Sequence, residues 1–135
     1  DEDLAKKMQD FGTYTGMAFQ IKDDLFDYLS SNFIGKPVGI DIKEQKMTLP
    51  LIYTLKTAKE IDRKYFFNTI KRYNNNPKRV KELIEFVKKS GGLDYAVGIM
   101  KDFQQKAKDI LSEFPESGAK TSLNLMLDYV IERKF

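Results

Sequence analysis

Residues Gly16 to Asp27 read GMAFQIKDDLFD; Lys36 to Asp41 read KPVGID further on, and Lys46 follows. At about 100° per residue on a helix, Gly12, Gly16, Gln20, Asp23 and Asp27 fall within roughly a quarter turn, with Asp24 at the margin. That stripe is polar and sterically open. Leu4, Met8, Phe11, Ala18, Leu25 and Leu29 gather beside it, as expected of a helix packed into a bundle. The spacing predicts a helix over residues 1–30 whose carboxylates face a cleft beside the core.

Acids so placed repel one another. Carboxylates on adjacent turns lie about 5 to 6 Å apart, and at an effective dielectric near 20 each pair costs roughly 3 kcal/mol before water and salt screen it. They also stand toward the negative end of the helix dipole, where anions are disfavoured. A divalent cation relieves both penalties. Magnesium, which bridges one or two carboxylates to substrate phosphates, suits a donor set made only of oxygens. An acidic edge that is merely solvated explains neither the glycines nor Gln20 nor the downstream lysines.

Ser30 to Pro50 read SSNFIGKPVGIDIKEQKMTLP. Gly35, Pro37 and Gly39 break the periodicity, so residues 31–49 are expected to form a catalytic loop, of a length at which irregular segments commonly carry function. A mobile lid fits that description. Lys36 and Lys46 bracket Asp41, giving two point charges able to grip a diphosphate and one acid able to orient metal-bound water.

Together these segments resemble the trans-type polyprenyl diphosphate synthases. Gly16 to Asp27 is similar to that family's second aspartate-rich motif, GxAFQIxDDxxD; Gly35 to Asp41 is similar to its GKxxGxD segment, and Lys46 to Ile52 to KxTLPLI. The wording is most similar to the bacterial octaprenyl-type members. The likeness is sharp to about Leu55, and the ending LNLMLDYVIERKF also resembles the family's last helix. The resemblance implies the isoprenoid synthase fold and a prenyltransferase that condenses isopentenyl diphosphate with an allylic diphosphate. It gives catalytic roles to Asp23, Asp24, Lys36 and Lys46, and places Gln20, Lys36 and Lys46 on the allylic diphosphate. It also implies magnesium, expected with bound diphosphate: Asp23 ligates it directly, Asp24 and Asp27 complete the acidic site, and Asp41 acts through water. Relatives of this kind are commonly homodimers.

The departures are as informative. A first DDxxD motif and upstream histidine and basic residues are absent, and the sequence begins at Asp1. The chain is therefore expected to be the C-terminal part of a larger enzyme and inactive alone, with product length set by residues it does not contain. The alternative is a noncatalytic helical regulatory or interaction subunit of a prenyl synthase. The retained Gln20, Asp23, Asp24, Asp27, Lys36 and Lys46 argue against it. A calcium-binding helix-loop is excluded more firmly, because DDLFDYLSSNFI lacks the alternating oxygens, central glycine and terminal glutamate of an EF-hand.

Composition narrows the rest. With 135 residues, no cysteine and no histidine, disulfides, thiolate chemistry and the usual zinc ligands and general base are out. No apolar run approaches the roughly 20 residues of a membrane span, and the first residues do not resemble a signal peptide. A cytoplasmic protein without an integral membrane segment is expected. From Pro50 onward the sequence reads helix after helix: LIYTLKTA, then IDRKYFFNTIKRY stopped by Asn74 to Pro77, then a face of Val80, Leu83, Ile84 and Val87 ended by Gly91 and Gly92. Leu93, Ala96, Met100, Phe103, Ala107, Ile110 and Phe114 recur at three and four, and Ala119, Leu123, Met126, Leu127 and Val130 mark the last helix beyond Pro115 and Gly118. An all-α helical bundle follows. Eleven Lys or Arg against four Asp or Glu between Lys56 and Lys89 are interspersed with this pattern, which favours a solvated face over a nucleic-acid site. Tyr65, Phe66 and Phe67 are expected in the core or under helices outside this sequence.

Overall fold

The computed structural model describes residues 1–29 and 39–133. Seven helices run through them: α1 (Glu2–Phe26), α2 (Ile40–Lys43), α3 (Leu49–Thr57), α4 (Glu60–Arg72), α5 (Pro77–Lys89), α6 (Gly92–Ser112) and α7 (Gly118–Glu132). There is no strand among the described residues, as the all-α reading expects. The chain forms two compact units, one from Asp1–Lys22 with the described residues from Val97 on, the other from Asp23–Ala96.

The Asp23–Ala96 unit is built on α3, α4 and α5. Pro50 lies in the first turn of α3, where a missing N–H has no helical partner to lose. Asn76 caps α5 by accepting from the N–H groups of Lys78 and Arg79 at 3.1 and 3.3 Å, with Pro77 opening the helix. The apolar faces then meet: Leu51 and Leu55 from α3, Phe66 and Ile70 from α4, and Val80, Leu83, Ile84 and Val87 from α5 form one core with Tyr28 and Ile42. Gly92 lets α6 start hard against α3, since a Cβ there would stand 2.5 Å from Thr54 Oγ1 and 2.7 Å from the Pro50 carbonyl.

Two arginines depart from the expected solvated face. Arg63 donates Nε to the Leu55 carbonyl at 2.9 Å and a terminal nitrogen to the Ala58 carbonyl at 3.0 Å, closing the C-terminal end of α3. Arg79 lies over the rings of Tyr65 and Tyr73, 4.0 and 4.3 Å from their centroids, and donates to Thr69 Oγ1 and the Tyr65 carbonyl. A planar guanidinium with a fork of donors satisfies such mixed partners; Arg79 is half-buried, while Arg63 is exposed, as are the lysines of the same stretch. Of the aromatic cluster, Phe66 is buried in the core, Tyr65 is half-buried with its hydroxyl donating to Glu82 at 2.6 Å, and Phe67 is exposed.

The other unit packs α7 against the C-terminal part of α6 and the N-terminal part of α1. Phe11, Ala107, Leu111 and Leu127 form its centre, flanked by Tyr14, Ile110 and Leu123. Ser117 Oγ caps α7 by accepting from the Lys120 N–H at 3.1 Å. The apolar stripe expected along α1 is buried only from Phe11 onward, because Leu4 and Met8 are exposed.

Candidate active site

The acidic motif stands where α1 stops. The helix ends at Phe26 rather than near residue 30, so Asp23 and Asp24 occupy its last turn, which contains no basic residue. Asp27 has left the helix: its N–H reaches back to the Asp24 carbonyl at 3.3 Å in a tight turn. The expectation of three carboxylates on one helical stripe therefore holds for two. The reason is a better set of partners for Asp27. One oxygen accepts from the Ile40 N–H at 2.9 Å, the other from the Asp41 N–H at 3.2 Å, and its carbonyl accepts from the Gly39 N–H at 3.1 Å. Burial, and secondarily the charge of Asp41, push the Asp27 carboxyl above the usual carboxylate range against the opposing pull of those N–H groups.

Within the expected loop, residues 40–43 form the short helix α2, whose Ile42 is fully buried in the core. Too short to show a period, α2 is positioned by tertiary contacts instead. Gly39 precedes it at φ 86, and a Cβ there would also stand 2.9 Å from Val80 Cγ1, so conformation and space both require glycine.

After α2 the chain turns sharply: the Lys46 N–H donates to the Asp41 carbonyl at 2.8 Å. The Lys46 ammonium then lies 3.8 Å from Asp24 Oδ1, with the lysine side chain half in solvent and Asp24 only 8% exposed. Next to this pair Tyr28 is wholly buried, its hydroxyl 3.1 Å from Thr48 Oγ1, and burial raises its phenol well above the ordinary value. This buried pair is a support that sequence reasoning missed. Its signals were a tyrosine directly behind the acidic motif and the threonine of the KxTLP segment.

Asp23 is exposed on the last turn of α1, and Gln20 is exposed one turn earlier on that helix. Asp41 is half-buried at the head of α2. The structure thus gathers Asp24, Asp27, Asp41 and Lys46 within one unit. Lys36, with Gly35 and Pro37, lies outside the described residues, as does the part of the expected lid before Gly39. Among the described residues no three acidic side chains come close enough to cage a metal ion by themselves. No described helix is long and apolar enough to cross a membrane.

Residues 1–87 match the Polyprenyl synthetase family. The Short chain isoprenyl diphosphate synthase of Methanothermobacter thermautotrophicus is 38% identical over 128 residues, which cover 94% of this chain and 39% of that protein. The Octaprenyl diphosphate synthase of Haemophilus influenzae is 31% identical over 131 residues, 96% of this chain and 40% of that one. Among solved structures, the geranylgeranyl pyrophosphate synthase from Bacteroides thetaiotaomicron superposes with a TM-score of 0.89 at 38% identity, over 98% of this chain and 44% of that chain. The chain spans about two fifths of the length of the relatives it matches. Motif, helical order and backbone agree across nearly its whole extent: the chain belongs to the polyprenyl synthetase family and has the all-α isoprenoid synthase fold.

Proposed function

We propose that this chain provides the second aspartate-rich half of the active site in a trans-polyprenyl diphosphate synthase, which joins isopentenyl diphosphate to an allylic diphosphate. The observation that carries this reading is the approach of Lys46 to Asp24, which puts the lysine of the KxTLP segment beside the DDxxD acids. A half-exposed ammonium can turn from that carboxylate toward an arriving anion.

The donors fit magnesium. Asp23 is exposed beside a second carboxylate, and magnesium needs only one or two carboxylates when phosphate oxygens and water complete its shell. Asp23 would hold the ion directly, with Asp24 next to it and Asp41 acting through water. Asp27, whose two oxygens accept from the head of α2, fixes the backbone that carries Asp41. When bound, the ion neutralises negative charge that builds on the departing diphosphate.

Lys46, with Lys36 and Gln20, binds the diphosphate oxygens. As the allylic C–O bond breaks heterolytically its electron pair passes to the diphosphate, so the ammonium's attraction grows toward the transition state. The double bond of isopentenyl diphosphate then attacks the allylic cation, and loss of a proton restores an alkene. No residue need act as a nucleophile. The whole synthase is proposed to work in the cytoplasm as a homodimer.

The test is incorporation of labelled isopentenyl diphosphate onto a short allylic primer with magnesium. The complete synthase should turn over and the 135-residue chain alone should not, since the remaining ligands belong to a first aspartate-rich motif that it lacks. Robust turnover by this chain alone, or none by the complete protein, would refute the assignment.

A further inference from the structure

The turn carrying Lys46 is fastened by two side-chain amides that cross between the same pair of chain segments. Gln45 donates Nε2 to the carbonyls of Ile70 and Lys71 at 3.1 and 3.3 Å, in the last turn of α4, where no further helical N–H follows to satisfy them. Asn74, just past that helix, donates Nδ2 in the opposite direction to the carbonyl of Lys43 at 2.8 Å, the last residue of α2. Each amide thus caps the helix that the other follows. On the far side of α2, Asp27 holds the N–H groups of Ile40 and Asp41. The segment Ile40 to Lys46 is anchored from both ends.

Gln45 also occupies a costly conformation. At φ 59 it is the only non-glycine residue among the described residues with positive φ. A side-chain-bearing residue there costs roughly 1 to 2 kcal/mol, and such outliers persist where surroundings over-determine them, commonly at functional sites. Glycine would avoid the strain but has no amide to donate. What the amide secures is the backbone immediately before Lys46. Because lysine is a point charge on a flexible stem, the position of that backbone decides which anions the ammonium meets.

We infer that Gln45 and Asn74 form a reciprocal amide clasp, and that Gln45 is a positioning residue setting the Lys46 ammonium beside Asp24. This rests on the diphosphate-binding reading of Lys46. The decisive variant is Gln45→Gly in the complete synthase, which keeps the left-handed turn without strain and removes the Gln45 half of the clasp. Relief of strain offsets the lost hydrogen bonds, so the melting temperature should stay close to that of the unaltered protein while hydrogen exchange at the Lys46 amide accelerates. Its kcat/KM for the allylic diphosphate should fall about tenfold, as expected for a displaced binding group, with the KM for isopentenyl diphosphate unchanged within about twofold. In a Lys46→Gln background the same change should cost nothing further, because a positioning residue has nothing left to position. Asn74→Ala should reproduce the pattern more weakly. Unchanged kinetics in Gln45→Gly alongside an impaired Lys46→Gln would overturn the clasp alone, as would losses that multiply in the double variant. A Lys46→Gln enzyme with normal kinetics would overturn the lysine's assigned role and the clasp together.

Discussion

Lys46 stands 3.8 Å from Asp24 with half its side chain in solvent, whereas Arg79 on α5 is sandwiched between Tyr65 and Tyr73 with its donors on Thr69 and a backbone carbonyl. Both are cations a short distance from chemically useful partners, yet their surroundings separate them. The guanidinium is half-buried, with Nε and one terminal nitrogen on fixed acceptors and two rings within 4.3 Å, so an arriving anion would have to displace several contacts. The ammonium has one long ion pair and open solvent on the other side. A cation is available for binding when its fixed partners are few and leave it exposed, and formal charge density along the sequence does not report this. The stretch from Lys56 to Lys89 is far more basic than the loop, but two of its three arginines, Arg63 and Arg79, join helices.

The comparison predicts its largest effect at the acidic end. In the complete synthase, Asp23→Ala should lower kcat by at least about a hundredfold, comparable to losing a preorganised electrostatic contact, and change the allylic diphosphate's binding less. Leaving-group stabilisation grows as the bond breaks, so the loss falls mainly on the transition state. Steady-state incorporation of labelled isopentenyl diphosphate measures it. A variant retaining most of its rate would show that this exposed carboxylate holds no metal.

At Arg79 the predicted loss is in stability instead. Arg79→Met keeps much of the packing between the tyrosines but removes the cation-π contacts and both hydrogen bonds, and should cost about 2 kcal/mol in urea unfolding. Arg79→Lys should recover little of this, since an ammonium cannot stack and fork at once. Kinetics of either variant, measured where it remains folded, should match the unaltered enzyme. A specific rise in KM for a diphosphate substrate would mean that this arginine belongs with Lys46 after all.

Much of the fold was open to reading because local signals coincided with tertiary ones. The core residues of α3 to α5 recur with helical period, and the breaks read at Asn74 to Pro77 and at Pro115 fall at helix boundaries. For the site, the motifs offered candidate residues, but not their geometry. Asp27 was expected on the helix because its spacing from Asp23 is helical, but the N–H groups that draw it off belong to residues 13 and 14 positions away. Gln45 gave no sign of its left-handed conformation, which a glycine or asparagine would have announced. Arg79 looked like one more surface charge because its ring partner Tyr65 lies on the preceding helix, beyond any local period. Each miss involves a polar side chain whose partner is distant in sequence and which hydrophobic periodicity cannot register.

Asp27 offers a finer test, through pH. Its carboxyl is raised above the ordinary 3.8 by burial and by Asp41, so between 3.8 and the folded value the native state holds more protons than the unfolded state. Stability from this group is then fully present below pH 3.8 and lost as pH rises through the folded pKa. Asp27→Asn removes that dependence while losing one acceptor at every pH. In metal-free buffer the unfolding advantage of the native protein over Asp27→Asn should therefore be greatest in acid and shrink as pH rises toward neutrality. An advantage that grows with pH would show that the N–H groups of α2 outweigh burial.

The smallest effect belongs to the lysines that the arginines leave outside. Lys78, Lys81 and Lys88 are exposed on α5, and charges on such a face are screened within roughly 8 to 10 Å at ordinary salt. Replacing all three with glutamine should change the allylic KM and kcat by less than about twofold, because screening leaves too little potential to steer a diphosphate from that distance. Arg79, although it lies among them in sequence, is kept intact so that the variant tests charge without loosening the join between α4 and α5. The measurement is most sensitive at low ionic strength, where the Debye length is longest. If the triple variant is defective there and recovers nothing as salt rises, the lysines act through contacts rather than through a screened field, and the anion site has been placed on the wrong part of the chain.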